Sequence, residues 1–419
     1  MKGPEPTPEA RRNYYILIGA MVSMQVTTST IYMVLPLFFE NHGMSKSAIG
    51  LLISVGTFAG IISSVLAGRY SDSHGRKPVL LAGVALYSLV FFLFALAGKD
   101  FGTFAALRFV EGFAYYMTPV AITTMAADIF PPRQRGRAMS LYSMSSGVGQ
   151  LVGPLLAGAF IEASSYFLYF IFCGAFVAVS AGIILLMVRE TRPQEAIASI
   201  GAGRGLALRG LSSNIRGLGV VFGIFLAATL IYRTGTTMYN PFFSLYLSEE
   251  IGLDMRETSY FFAVRALVTL AIAPLAGSLA DRYGRKPTYL FGLGALIATM
   301  IGYRNVTTFE QVLAVRAMES ASNAILQPSS RAYVADLLSP ENRGFGMGFY
   351  MTVMDESSTM GAILGGFMAE LYGFSALFLV GAATAAACLI IVLLLVQEPG
   401  RLPHHEGSPI EAEDKGPRG

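Results

Sequence analysis

The chain has 419 residues, of which 53% are hydrophobic and only 14% are charged, and its formal net charge is +3. A soluble domain carries about 25% charged residues, so this composition indicates a protein that crosses a membrane several times. The small net charge argues against nucleic-acid binding, and the lack of a P-loop sequence argues against direct use of ATP. The two cysteines lie within apolar runs, and none of the four histidines is paired at ligand spacing within a helix. We therefore expect no disulfide framework, no metal site, no cofactor and no enzymatic activity.

Apolar segments of the length that crosses about 30 Å of hydrocarbon recur twelve times along the chain. They are predicted near residues 14–39, 48–68, 78–98, 101–127, 137–161, 166–188, 217–247, 257–280, 287–303, 309–335, 344–369 and 374–396. Polar tails at 1–12 and 397–419 and an arginine-bearing linker at 189–216 lie outside them. The sequence therefore predicts an all-α integral membrane protein with six spans in residues 13–188 and six in residues 217–396.

The basic residues are distributed unequally between the two sides of the membrane. Lys and Arg concentrate in the tails, the linker and the even-numbered loops, whereas the odd-numbered loops hold only Lys46, Lys99, Arg256 and Arg304. Because positively charged loops stay in the cytoplasm, this pattern predicts that both termini are cytoplasmic. We expect the protein to lie in the plasma membrane.

One charged loop occurs twice in the sequence. Its residues are Gly68, Asp72, Gly75, Arg76 and Lys77, and they recur 209 positions later as Gly277, Asp281, Gly284, Arg285 and Lys286. In both copies the loop joins two apolar spans, and its glycine permits a tight reversal. A repeat at half the chain length indicates two related halves.

The fourth and tenth predicted spans each carry an Arg and a Glu three residues apart. Arg108 and Glu111 in the fourth span recur as Arg316 and Glu319 in the tenth. Residues at this spacing share one face of a helix, and pairing lowers the cost of holding charge in lipid. The first pair is a candidate for proton coupling, with a purely structural pair as the alternative. The second pair is interpreted as structural.

The fifth predicted span carries a stripe of small residues. Gly149, Gly153 and Gly158 let a neighbouring helix approach closely, and Pro154 between them adds a kink. Generic helix packing is the alternative to a functional role for this stripe.

Two adjacent carboxylates interrupt the eleventh predicted span. Asp355 and Glu356 occupy the places that Gly147 and Val148 hold in the first half, so the repeat does not require them. Charge at mid-depth costs about 3 kcal/mol, which favours residues that face a water-filled cavity. We expect one of the two carboxyls to load and release protons. A static pair with a buried arginine is the alternative.

Two arginines lie inside spans of the second half. Arg233 in the seventh span and Arg265 in the eighth are each predicted either to neutralise Asp355 or Glu356 or to bind an anionic substrate. Polar and aromatic residues of the first and seventh spans are predicted to complete a substrate cavity: Gln25, Tyr32, Tyr232, Tyr239 and Asn240.

These features together resemble the major facilitator superfamily. The repeated loop resembles the signature loop that this family places between its second and third helices and between its eighth and ninth. The Arg108 segment resembles the fourth-helix motif that the family associates with proton coupling. The glycine stripe of the fifth span resembles the motif of the drug–proton antiporter branch.

The resemblance implies two pseudo-symmetric six-helix bundles that rock about a central site. It gives Asp72 the task of pairing with arginines and with the start of the eleventh helix when the protein opens outward, and Asp281 an equivalent task at the fifth helix. The implied function is proton-coupled export of small amphipathic compounds, as in multidrug efflux, by a monomer in a lipid bilayer. Proton-coupled uptake of an organic anion, such as a carboxylate or sugar derivative, is the alternative, and a non-transporting membrane sensor is a third hypothesis.

Overall fold

The computed structural model describes residues 6–191, 218–339 and 342–396, which form twelve helical spans, α1 to α12. The first six are α1 (Pro8–Thr28, continued by Ile31–Asn41), α2 (Lys46–His74), α3 (Arg76–Ala95), α4 (Phe101–Ile129), α5 (Pro132–Ala163) and α6 (Tyr166–Met187). The second six are α7 (Val220–Thr237, continued by Phe243–Glu249), α8 (Met255–Tyr283), α9 (Arg285–Asn305), α10 (Phe309–Leu337), α11 (Arg343–Tyr372) and α12 (Phe374–Leu395). The predicted all-α fold with twelve helices is confirmed. Residues 192–216 of the predicted linker, the predicted C-terminal tail and residues 1–5 lie outside the described residues.

Eight of the helices in the described ranges are long and apolar enough to cross a membrane by hydropathy alone. The other four spans are α4, α9, α10 and α11. Three of these, α4, α10 and α11, carry the charged residues that the sequence places at mid-depth. Polar and charged side chains inside a span lower its mean hydropathy, and such residues tend to be buried against protein or to line a cavity.

Short polar signals set the helix ends. Asp100 caps α4 by accepting from the Thr103 N–H at 2.7 Å, and this bond holds the pKa of Asp100 below its usual value. At both signature loops one glycine separates two helices: Gly75 (φ 110°) joins α2 to α3 and Gly284 (φ 92°) joins α8 to α9. Only glycine adopts such angles without strain, which accounts for its place in both copies of the loop.

The helices pack as two bundles of six. In the first bundle α4 contacts α2 and α3, α6 contacts α1 and α3, and α1 contacts α5; in the second, α10 contacts α8 and α9, α12 contacts α7 and α9, and α7 contacts α11. The bundles meet where α2 packs on α11 and α5 packs on α8. These two contacts are related by the internal repeat, because α8 is the copy of α2 and α11 is the copy of α5.

Polar contacts join the bundles at the end formed by the α1–α2 and α7–α8 loops, here called the distal end. Lys46 Nζ lies 2.8 Å from Glu249 Oε2, the Ser47 N–H donates to Glu370 Oε2 at 2.8 Å, and Ser54 Oγ donates to the Thr359 carbonyl at 3.1 Å. Glu250 follows Glu249 at this end, and burial raises its pKa. The distal end is therefore the closed end in this conformation.

Candidate functional site

A cavity of about 320 Å³ lies between the two bundles. Its lining comes from both halves of the chain: Gln25, Thr28, Ser29, Tyr32, Tyr115, Ser146, Gln150 and Pro154 from the first, and Arg233, Thr237, Asn240, Pro241, Phe262, Arg265, Gln327 and Ser358 from the second. Amides, hydroxyls and guanidinium groups alternate with aromatic rings. Such a surface can bind a compound that has an apolar body and a few polar groups.

The charge of this cavity is positive. Arg233 and Arg265 are among its lining residues, and no carboxylate is among the described residues that line it. The Nε atom of Arg233 is buried and has no hydrogen-bond partner in the described part of the chain. Arg265 lies within electrostatic range of the buried Glu319 carboxylate. Both guanidinium groups are therefore placed to attract negative charge into the cavity.

The predicted carboxylates of α11 lie beside the cavity. Asp355 is exposed to solvent one helical turn from the lining residue Ser358, and Glu356 is half-buried. Arg233 and Arg331 are the cations that act electrostatically on Asp355, and Asp355 in turn acts on Tyr116 of α4. Asp355 thus lies within electrostatic range of groups of both bundles.

The first predicted ion pair is fully inside the protein. Arg108 and Glu111 are 4% and 2% exposed and form a salt bridge. Arg108 also donates to the carbonyls of Leu52 and Ile53 on α2, both at 3.2 Å. Its guanidinium fills the space beside Gly56, where a Cβ atom would collide with it. The pair therefore fixes α4 to α2, the helix that also closes the distal end.

The second ion pair is enclosed by more donors. Arg316 lies 2.5 Å from Glu319, and both residues are 1% exposed. Glu319 also accepts from Tyr303 at 3.0 Å, from Asn323 at 2.9 Å and from Tyr239. With four donors to one carboxylate, the ionised form of Glu319 is held in place.

The glycine stripe of α5 contacts two different helices. A Cβ atom at Gly149 or Gly153 would meet the α1 backbone at Gln25 and Val26, and one at Gly158 would meet Ser259 of α8 at 2.6 Å. The stripe thus permits close packing inside the first bundle and also across the bundle interface. Pro154 lies between the two contacts and lines the cavity.

The first signature loop is held by charges of its own bundle. Arg76 pairs with Asp72 at 2.9 Å and with Asp128 at 3.1 Å, and Glu190 accepts from the backbone N–H groups of Arg76 and Lys77, both at 2.9 Å. The Asp72 side chain is 60% exposed. A Cβ atom at Gly68 would have open space around it.

The second signature loop repeats part of this arrangement. Arg285 pairs with Asp336 at 2.8 Å, and Lys286 Nζ donates to the Val396 carbonyl at 2.6 Å. The side chain of Asp281 lies outside the described residues.

The predicted cavity residues fall into two groups. Arg233, Arg265, Tyr32, Gln25 and Asn240 line the cavity. The other two lie in the core of the second bundle: Tyr232 packs against Tyr289 with ring centroids 6.4 Å apart, and the Tyr239 hydroxyl donates to Glu319.

Other lining residues were not predicted. Gln150, Gln327 and Tyr115 belong to this group. The two amides are polar side chains in the middle of spans, and that signal was available in the sequence.

Comparison with known proteins places the chain in a family. A model of the Major Facilitator Superfamily matches residues 16–232 and 225–415. Multidrug resistance protein 2 of Bacillus subtilis is 24% identical over 371 residues, which cover 87% of this chain and 90% of that protein. Multidrug resistance protein MdtG of Proteus mirabilis is 25% identical over 400 residues, which cover 93% of this chain and 97% of that protein.

Solved structures share the fold at lower identity. The nucleoside transporter NupG superposes with a TM-score of 0.76 at 14% identity, over 92% of this chain and 98% of NupG. The human organic anion transporter MFSD10 superposes with a TM-score of 0.63 at 18% identity, over 92% of this chain and all of that chain. Because the family model matches nearly the whole chain, and because the chain has the duplicated loop and the two six-helix bundles, it belongs to the Major Facilitator Superfamily.

Proposed function

We propose that this protein exports small amphipathic organic compounds in exchange for protons, by alternating access of a central cavity. The observation that carries the proposal is the inter-bundle cavity, lined by polar and aromatic side chains of both halves, with Asp355 exposed beside it. Relatives that match about nine-tenths of the chain are named multidrug resistance proteins, which favours export. The predicted orientation makes the closed distal end the outer face, so this conformation faces the cytoplasm.

The proposed proton sites are Asp355, Glu356 and the Arg108–Glu111 pair. Asp355 lies within electrostatic range of Arg233, a cavity residue, so its charge and the charge of a bound substrate act on the same guanidinium group. A cationic or dipolar compound binds better when Asp355 is ionised, and a proton on Asp355 weakens that binding. Substrate and proton then exclude each other, as exchange requires.

Proton-coupled uptake of an organic anion is a second candidate, favoured by the two arginines in the cavity. A proton on Asp355 removes the negative charge that competes for Arg233, and so it strengthens the binding of an anion. Proton and anion then bind together and move in the same direction. The sign of the coupled proton flux distinguishes the two candidates.

The decisive experiment is transport in proteoliposomes under an imposed pH gradient, with cationic, neutral and anionic compounds. Wild type is compared with Asp355→Asn, Glu356→Gln and, as a control, Glu310→Gln, which removes an exposed carboxylate in the first turn of α10. If the protein is an exporter, substrate moves outward while protons move inward. One of the two α11 variants should then lose this gradient-driven movement and keep substrate exchange.

The other results are equally informative. Substrate and protons that move together would favour anion uptake, and Arg233→Gln and Arg265→Gln should then raise the half-saturating concentration of the anion. Gradient-driven transport that survives in both α11 variants would make these carboxylates structural. A protein that moves none of the compounds would favour the sensor hypothesis. We propose in addition that the protein works as a monomer in the plasma membrane with cytoplasmic termini.

A further inference from the structure

A second pocket, of about 260 Å³, lies between α1 and α5 at the end of the bundle opposite to the distal end, and is here called the α1–α5 groove. Its walls are formed by Arg11 and Tyr15 of α1 and by Gln134, Arg137 and Leu141 of α5. None of these residues lines the central cavity. The groove is therefore separate from the site proposed for substrate.

Buried contacts form the floor of the groove. The Tyr14 hydroxyl donates to the Ala138 carbonyl at 2.9 Å, and the Tyr14 ring meets Phe130 edge to face with ring centroids 5.1 Å apart. Tyr14 is fully buried, and Phe130 and Ala138 line the groove. Direct contact between the helices thus fixes the two walls relative to each other, so the groove is formed before a ligand binds.

The side chains of the groove are rich in hydrogen-bond donors. Arg11 and Arg137 bring one guanidinium group from each helix, Gln134 adds an amide, and no carboxylate is among the described residues that line the groove. Arg137 has no ion-pair partner in the described ranges, whereas Arg135, two residues earlier, donates to the Phe130 carbonyl at 3.1 Å. A phosphate group, which offers several acceptor oxygens and negative charge, matches this set of donors.

The internal repeat does not require the arginine of α5. Arg135 and Arg343 are equivalent positions of α5 and α11, and two residues later Arg137 is replaced by Phe345. Phe345 stacks on Phe349 with ring centroids 6.2 Å apart. The second bundle therefore has an aromatic pair where the first bundle has a guanidinium group, although the two halves share one fold.

The groove continues as an exposed apolar strip along α5. Leu141, Met144 and Val148 are spaced three and four residues apart and share one face of the helix, and Met144 and Val148 are 63% and 48% exposed. On the α1 side Tyr15 is 52% exposed, and tyrosine is enriched where hydrocarbon meets the headgroup region. Phosphate-binding donors beside an exposed apolar strip fit a phospholipid better than a free ion.

We propose that the α1–α5 groove binds the headgroup phosphate of an anionic phospholipid. Arg11 and Arg137 hold the phosphate, and the acyl chains lie along the apolar strip of α5. Basic pockets between membrane helices on the cytoplasmic side suit such headgroups, and the predicted orientation of the chain places the groove on that side. Binding at this groove is independent of proton coupling and of the transported substrate.

The test measures lipid binding to the full chain, purified in a neutral detergent, by native mass spectrometry. The probes are dioleoylphosphatidylglycerol, dioleoylphosphatidylcholine, which has the same chains but no net charge, and inorganic phosphate as a competitor. Arg11→Gln/Arg137→Gln removes the proposed ligands. Arg133→Gln/Arg343→Gln is the control, because it removes the same charge at two exposed arginines outside the groove. Gln134→Glu keeps both arginines and adds a carboxylate to the groove, so it decides the question if the first variant does not fold.

Each arginine beside a lipid phosphate raises the affinity about fivefold, so Arg11→Gln/Arg137→Gln should bind phosphatidylglycerol about 25-fold more weakly than wild type. Gln134→Glu should also weaken this binding, the control should stay close to wild type, and phosphatidylcholine should bind all of these proteins equally.

Four results would overturn the proposal. The first is wild-type affinity for phosphatidylglycerol in the groove variants. The second is an equal loss of affinity in the control, because general surface charge would then explain the binding. The third is a wild-type protein that binds both lipids equally. The fourth is displacement of phosphatidylglycerol by inorganic phosphate at equal concentration, which would make the groove a site for free phosphate.

Discussion

The contact between α2 and α11 leads to a prediction about the conformational equilibrium. At Gly366 an added Cβ atom would lie 2.7 Å from the Lys46 carbonyl oxygen and 3.2 Å from the Gly50 Cα atom. Both are backbone atoms, so neither can move aside without shifting α2. Overpacking of this kind costs about 1–3 kcal/mol. Gly366→Ala therefore destabilises the state with a closed distal end and raises the ratio of open to closed molecules about 5-fold to 150-fold.

The matched control is Gly348→Ala on the same helix, where an added Cβ atom has nothing within 4 Å. The helix preference of alanine over glycine is common to both variants and to both conformations, so it cancels.

Distances between spin labels at the distal end measure the equilibrium. Leu96→Cys and Arg304→Cys place one label on each bundle at exposed positions, and the native Cys173 and Cys388 are buried. A longer distance should become populated in Gly366→Ala and stay absent in Gly348→Ala. Identical distance distributions for Gly366→Ala and wild type would show that this contact does not close the distal end. Equal shifts in both variants would assign the effect to the helix itself.

Three further predictions concern buried and distal charges. Arg316→Met leaves Glu319 buried without its cation, and we expect a loss of about 3–5 kcal/mol, measured as thermal unfolding in detergent. Lys46→Met removes the partly exposed salt bridge to Glu249 and destabilises the closed state by about 0.2–1 kcal/mol. The spin-label distances should therefore shift slightly toward the open state. Burial raises the pKa of Glu250, so its protonated form favours the closed end; closure should be most stable at low pH and weaken as pH rises through that raised pKa. A pH titration of the same labels checks this, and Glu250→Gln should flatten it.

The sequence was sufficient for the architecture. Twelve apolar segments, the repeated loop and the small residues of α5 are local patterns whose physical cause is local: the thickness of a bilayer, the backbone angles of Gly75 and Gly284, and the close approach of helices. Eight helices of the described residues are long and apolar enough to cross a membrane by hydropathy alone, and the repeat supports the count of twelve that the apolar segments predict.

The orientation of individual side chains could not be predicted to the same extent. Adjacent residues on a helix point about 100° apart, so Tyr232 and Arg233 face different partners although both lie in a polar run. The run then crosses the end of the first helical segment of α7 at Thr237 and enters a 3₁₀ turn at Asn240–Phe242. The break changes the helical phase, and residues on its two sides no longer share one periodic pattern. Periodicity therefore could not separate Asn240, in the cavity, from Tyr239, beside Glu319.

The two halves pack their helices in the same way, but the surroundings of their buried charged residues differ. Arg108–Glu111 and Arg316–Glu319 are copies, yet Glu319 accepts from four donors, whereas Glu111 accepts from Arg108 alone among the described residues. A carboxylate that many donors stabilise keeps its charge, and one with fewer donors can exchange a proton with less loss of hydrogen bonding. Asp355 stands where the first half has Gly147, and it adds a second ionisable group on the opposite bundle. This distribution supports the proposal that the α10 pair stays ionised, while α4 and α11 carry the groups proposed to exchange protons.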